Sequence, residues 1–384
     1  MDIYYISDVI FSDCDLPLVK SLVEKGNNVK YIIIARNEQR GGGLFNFKDL
    51  PKQGIFNGSK IEQILFYKEY INVNQVEVLT RSNCFLDVKN WIVSIKLFIK
   101  ILRSKVQIIH ITQPLGVFDW LLYIFRRRMV ITVHDPLLHS GEESISQEIK
   151  RHVAFNFIPL VFLLNNKQTD LFIKKYSINQ NKINFNRLGV YDTLCYIRDN
   201  INIKSFDYKY FLFFGHISPY KGVDILCEAI KLLNSKYPNV KCVIAGKGNF
   251  DFDINKYKSY NIVLLNKFIN IDELVELITN SLFVVCPYKD ATQSGVVSSS
   301  FALGKAVVAS NVGALSDMII DGITGKLVEP KDPLLLANAI DVLLSNDNLL
   351  KQMTDNINVF YRNGDMSWNK IATRYINGYK QICH

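Results

Sequence analysis

The chain has 384 residues, enough for two domains with separate hydrophobic cores. It is 48% hydrophobic and 21% charged, which excludes a disordered chain. Its 45 Lys and Arg against 36 Asp and Glu give a formal charge of +9. No nucleic-acid module is recognisable, so anionic lipid or phosphate is the expected partner of that excess.

The first half alternates strands and helices. Apolar runs predict strands over 3–6 and 29–35, with a polar loop over 7–15 and a helix over 16–25 between them. The loop lacks the Gly-x-Gly-x-x-Gly of a dinucleotide site, which argues against a nicotinamide-dependent oxidoreductase. Asp13 and Asp15 form an Asp-x-Asp at the helix start, where N-capping competes with metal binding. Residues 40–43 (RGGG) form a flexible turn.

A helix over 91–105 carries Ile92, Ile95, Phe98, Ile99 and Leu102 on one face, with Lys96, Lys100 and Arg103 elsewhere. Its apolar face either packs on the sheet or lies against anionic lipid. The surrounding stretch 81–130 holds nine basic residues and two acidic ones. Strands are expected over 106–111, 129–133, 159–164 and 182–186, and helices over 120–125 and 167–176. Arg126, Arg127 and Arg128 end the first of these helices. His134 and Asp135 stand at a strand's carboxyl end, the edge that faces the ligand crevice of an open α/β sheet. An imidazole there can pass a proton near neutrality. His139 follows in the same loop.

Polar residues over 191–208 suggest a linker. The pattern then restarts, with strands over 210–214, 240–245 and 262–265 and helices over 223–233 and 271–279. The loop after the first of these strands, GHISPYKG, holds Gly215, His216 and Lys221. The next ends in Gly246, Lys247 and Gly248. The stretch 284–310 reads strand, polar loop, helix, strand, and its helix start (Thr292, Gln293, Ser294, Gly295) offers N–H groups to an anion. A helix over 334–344 and a final amphipathic helix over 368–382 complete the chain.

Seven scattered cysteines without a CxxC suggest reduced thiols in a cytoplasm. The first residues carry no basic leader, and no apolar segment is long enough to span a bilayer. The expected location is the cytoplasm, with the basic region on the inner face of the plasma membrane.

FFGHISPYKGVDIL, VIAGKGN, residues 284–310 and VGALSDMIIDGITGKLVEPKDP occur in order, at intervals that resemble the retaining glycosyltransferases of family four. The resemblance covers about 211–333. It implies an α/β GT-B fold of two Rossmann-like domains facing a cleft. The first would be the acceptor domain over 1–195, joined by a returning helix over 366–384; the second would be the donor domain over 196–365. It implies transfer of a sugar from a nucleotide-diphosphate donor to a hydroxyl with retention of anomeric configuration. No metal or cofactor is implied beyond that co-substrate. The acceptor implied by bacterial surface-polysaccharide members is a lipid-linked saccharide.

Carried over by position, Lys221 and His216 face the diphosphate and His134 faces the sugar and acceptor. Gly215, Gly246, Lys247, Phe268, Asp290, Thr292, Gln293, Ser294, Gly295, Val296, Val297 and Ser299 would hold the donor. Asp13, Asp15, Asp135 and His139 would serve the acceptor. Two departures stand out. His216 occupies the place of an arginine, and the family's two glutamates fall on Ala291 and Ser299. The missing carboxylates keep an inactive nucleotide-sugar-binding partner subunit as an alternative, while His134 and Lys221 oppose it.

Overall fold

The computed structural model describes residues 1–36, 41–137, 144–164, 168–290, 295–313 and 315–383. The chain divides into two compact units, Met1–Leu188 with Trp368–His384, and Gly189–Ser367.

The first unit is built on an eight-stranded sheet. Its strands are β1 (Asp2–Asp8), β2 (Asn28–Arg36), β3 (Gly54–Asn57), β4 (Val76–Arg81), β5 (Ile108–Ile111), β6 (Met129–Val133), β7 (Leu160–Leu163) and β8 (Ile183–Phe185). Their spatial order is β8-β7-β6-β5-β1-β2-β4-β3. All pairings are parallel except β3 with β4. Strands buried on both faces are continuous apolar runs, as in the wholly buried MVITV of β6.

The helix Trp368–Ile382 belongs to this unit. Its Tyr379 hydroxyl meets His110 Nδ1 at 2.6 Å, and Thr132 Oγ1 meets His110 Nε2 at 2.7 Å. Thr132 also donates to the Tyr375 hydroxyl at 3.0 Å. His110 is fully buried, and burial pushes its imidazole down to about 3, so the ring is neutral. The network fixes the terminal helix by direction as well as by apolar contact.

The second unit has six parallel strands: β9 (Lys209–Phe214), β10 (Val240–Ala245), β11 (Ile262–Leu265), β12 (Val284–Cys286), β13 (Val307–Ser310) and β14 (Gly325–Val328). Their order is β11-β10-β9-β12-β13-β14. In chain order within the unit this is 3-2-1-4-5-6, the doubly wound arrangement. The chain reverses direction of winding between β9 and β12, and the crevice at their carboxyl ends is where such sheets bind ligands.

Several expected elements differ from those found. The polar stretch 191–208 holds the helix Thr193–Asn200, which packs in the second unit: Tyr191 N donates to Ser298 O and Cys195 Sγ to Ala302 O. Its Asp199 and Asn200 are exposed, while Thr193, Leu194 and Ile197 are buried. The first helix is Ser12–Glu24, so Asp13 and Asp15 lie within its first turn. Its N-cap position, Phe11, makes no side-chain cap. Asp8 instead caps the preceding 3-10 turn through Ile10 N.

Candidate functional site

In the second unit, the loops after β9 and β12 clasp one another. Gly222 sits in the left-handed region at φ +68°, and a Cβ there would lie 1.9 Å from Pro287 O. Only glycine permits both the backbone conformation and the approach. Lys289 N donates to Tyr220 O at 2.7 Å, and Lys289 Nζ pairs with Asp224 at 2.8 Å. The Tyr288 ring, fully buried despite its polar surroundings in sequence, lies beneath Lys221, whose Nζ stands 3.7 Å from the ring centroid. Lys221 therefore projects at the switch point, held by an aromatic face rather than by a carboxylate. Burial pushes its ammonium down to about 8 from the usual 10.5.

The loop after β9 is also knitted to the loop after β10. Gly215 N donates to Ala245 O and Ile217 N to Lys247 O, both at 3.0 Å. Gly246, at φ +147°, lies so close that a Cβ would meet Gly215 O at 1.9 Å. Asn266 closes the same corner, accepting from Gly248 N and donating to Gly248 O, each at 3.1 Å. The Ser218 hydroxyl in this loop is buried without a hydrogen-bond partner among the described residues.

The helix Gly295–Ala302 begins beside these loops; the space over Gly215 is bounded by Val296 Cγ2. First-turn N–H groups lack intrahelical acceptors, so the start of this helix can receive anionic oxygens. The structure thus brings Gly215, Lys221, Gly246 and the start of the helix at Gly295 and Val296 to one edge of the sheet. His216, Lys247 and Asp290 are exposed around it. Val297 is fully buried, leaving only its backbone to act. Ser299 is buried too, and so does not present its hydroxyl to solvent as a ribose contact would require. Phe268 is exposed after the edge strand β11, two strands away from β9. Thr292, Gln293 and Ser294 lie outside the described residues.

In the first unit, His134 follows β6 and stacks flat on Phe11, with centroids 4.2 Å apart and planes at 11°. Burial lowers its imidazole to about 4. It is therefore neutral at pH 7 and able to accept a proton or a hydroxyl hydrogen bond. The carbonyls of Asp135 and Pro136 accept from Arg151 Nη2 at 2.8 and 2.6 Å, which pins the His134 loop to the helix Ile145–Phe157. Asp13 is partly exposed in the helix beside Phe11, and burial raises its carboxyl to about 7.

Asp15 departs from the expected acceptor role: it is buried and receives the hydroxyls of Tyr5 at 2.7 Å and Tyr31 at 3.0 Å. That carboxyl braces β1 and β2 against the first helix and does not reach a surface. His139 lies outside the described residues. A cavity of about 20 Å³, lined by Ser7, Asp8, Arg36, Thr112, Gln113 and Asp119, opens where β1 and β5 part. It has room for one water. A larger groove of about 720 Å³ lies at the opposite, amino edge of this sheet, where Asn28 and Val76 start their strands.

Tyr288, Asn266 and Ser218 escaped sequence reasoning. Tyr288 left one trace, an aromatic residue inside an otherwise polar loop directly after a strand.

Residues 198–359 match the family model "Glycosyl transferases group 1". An uncharacterised glycosyltransferase of Methanocaldococcus jannaschii is 31% identical over 178 residues, 46% of this chain and 49% of the relative. The lipopolysaccharide 1,2-N-acetylglucosaminetransferase of Salmonella typhimurium is 28% identical over 202 residues, 47% and 50% of the two chains. The chain thus spans about half the length of the curated relatives it matches. Among solved structures, the Anabaena protein HepE in complex with UDP aligns with a TM-score of 0.65 at 16% identity, covering 99% of this chain and 100% of that one. The chain therefore has the GT-B fold of two Rossmann-like units, and its residues 198–359 are similar to the group 1 glycosyltransferases.

Proposed function

We propose that this protein is a retaining glycosyltransferase, independent of metal, that moves a sugar from a nucleoside-diphosphate donor to a hydroxyl of a lipid-linked saccharide in surface polysaccharide synthesis. The carrying observation is Lys221, seated on Tyr288 at the switch point beside the start of the helix Gly295–Ala302. Breaking the sugar–phosphate bond leaves charge on the diphosphate oxygens. A fixed ammonium and a row of N–H groups stabilise that charge without reorganising water. Gly215 and Gly246 let the backbone approach the leaving group.

On the acceptor side we assign His134, with Asp13 and the backbone at Asp135, to the hydroxyl that attacks. A neutral imidazole suits hydrogen bonding to a sugar hydroxyl better than an imidazolium would. The Anabaena relative crystallised with UDP and glucose supports a nucleotide-sugar donor. The test is a thermal-shift panel of UDP, GDP, ADP and their sugars, followed by NMR of the product anomer. One nucleotide family should raise the melting temperature, because a ligand of the folded state stabilises it. No shift with any diphosphate would refute the donor assignment, and an inverted anomer would refute retention.

A further inference from the structure

The helix Val88–Leu102 buries the side opposite to the one its sequence advertises. Its buried residues are Asn90, Val93, Ser94, Leu97 and Ile101. Of the stripe read from sequence, Ile92, Ile95, Ile99 and Leu102 are exposed, together with Val88, while Phe98 is half-buried against the core. At 3.6 residues per turn the five exposed residues fall within about 40° of one direction, opposite the buried set. Val88 is 67% exposed and Leu102 57%. The turn before the helix adds Leu86, 81% exposed, and Phe85.

The aromatic neighbours extend the face. Trp91 packs edge-on against Phe118 at 5.1 Å, and Phe98 meets Phe125 at 5.5 Å. This ties the helix to the segment Trp120–Arg128, where Trp120 and Ile124 are exposed.

Charge follows one rule across this surface. Lys89, Lys96 and Arg103 are exposed along one flank of the stripe, and Arg126, Arg127 and Arg128 are exposed at the end of the adjoining segment. The two acidic residues of the region are consumed internally. Asp119 makes a buried two-pronged pair with Arg81, and Asp87 caps the helix through Lys89 N. A groove of about 480 Å³ beside Ile99 is lined by Lys30, Lys96, Lys100, Arg103 and Ser104. Only Lys100 among these cations has a carboxylate partner, Glu77, among the described residues. No described helix is long and apolar enough to cross a membrane.

We propose that this face docks on an anionic lipid bilayer. The Val88–Leu102 stripe and Trp120 enter the interfacial layer, and the Lys30–Lys96–Arg103 groove seats a lipid phosphate. Apolar area and cations add in such binding, which is why both occur on one face here. The inference stands on the first unit alone and does not depend on sugar transfer.

The test sediments the full chain with phosphatidylcholine vesicles, with and without a quarter phosphatidylglycerol. Binding should require the anionic lipid and fall as salt rises, since screening shortens the reach of the cations. The double variant Lys96→Gln/Arg103→Gln should lose about fivefold in affinity per charge. Ile95→Glu should abolish binding while leaving thermal stability and nucleotide binding unchanged, because the side chain is exposed. Equal binding to neutral and anionic vesicles, or indifference to both variants, overturns the proposal. It also fails if the chain self-associates through Ile95 without lipid, or if soluble glycerophosphate competes as well as vesicles do.

Discussion

Lys221→Met should make the protein more stable and less active. The ammonium is pushed from 10.5 to about 8 because it is held away from water over Tyr288. The folded value lies below the unfolded one, so the unfolded chain holds this proton more tightly between those two pH values. The resulting cost to stability is fully present below pH 8 and fades as pH rises toward 10.5. At ~1.4 kcal/mol per pH unit of separation, the cost is about 3 kcal/mol. The attraction of the ammonium to the ring offsets ~1–2 kcal/mol, and partial exposure reduces the rest. Methionine keeps the chain's length and apolar contact without the charge, so a net gain of about 1–2 kcal/mol is expected at neutral pH. Urea unfolding near neutrality and again above pH 9 measures it, and the gain should shrink at the higher pH. The same variant should lose at least ~2 kcal/mol of transition-state stabilisation, about thirtyfold in turnover. A variant that is less stable at neutral pH, or whose gain ignores pH, refutes the account of Lys221; unchanged turnover removes it from the site.

Gly222→Ala should cost several kcal/mol or prevent folding of the second unit, because its φ is +68° and a Cβ would meet Pro287 O at 1.9 Å; chemical denaturation reads this, and a loss under ~0.5 kcal/mol would mean the clasp is loose. His110 has a folded value near 3, below its usual 6.5, so it contributes stability that is present above pH 6.5 and is lost as the pH falls toward 3. Between pH 7 and about 5, His110→Asn should flatten the decline by ~1–2 kcal/mol, and an unchanged slope would place the acid sensitivity elsewhere. His216→Arg should tighten nucleoside-diphosphate binding by about fivefold, since a guanidinium makes two-pronged, charge-assisted hydrogen bonds to phosphate. Calorimetry tests this, and an unchanged affinity would show that residue 216 does not face the diphosphate.

The central strands of both units were legible in sequence because they are buried on both faces. Runs such as VKCVIA and KYFLFF leave few alternatives to a central parallel strand, and β10 falls where its apolar run does. The first unit hides more. The strand Gly54–Asn57 is four residues of mixed burial and pairs antiparallel at the edge, so it carries neither a long apolar run nor a crossover. The helix Val88–Leu102 has two apolar sides: periodicity finds a stripe but cannot say whether the stripe meets a sheet or solvent. Asp13 and Asp15 look alike in sequence, yet only the structure separates a partly exposed carboxyl from one closed in by two tyrosines.

The loops of the proposed donor side carry marks in the sequence for a reason specific to this fold. Its constraints are backbone constraints: Gly222 and Gly246 are required because two loops approach within the radius of a methyl group, and such needs leave single-residue marks. The charge balance around those loops is less visible. Lys289, adjacent in sequence to the site, is held by Asp224. Lys221, which the resemblance places at the diphosphate, sits on Tyr288 and has no carboxylate partner among the described residues. The site proposed to bind a multiply charged leaving group thus presents, among the described residues, one unneutralised, partly desolvated ammonium from these two loops. In that proposal the remaining charge falls on N–H dipoles and on the exposed His216 and Lys247. That distribution makes the loop backbone, more than any added cation, the part of this site that a substitution should damage most.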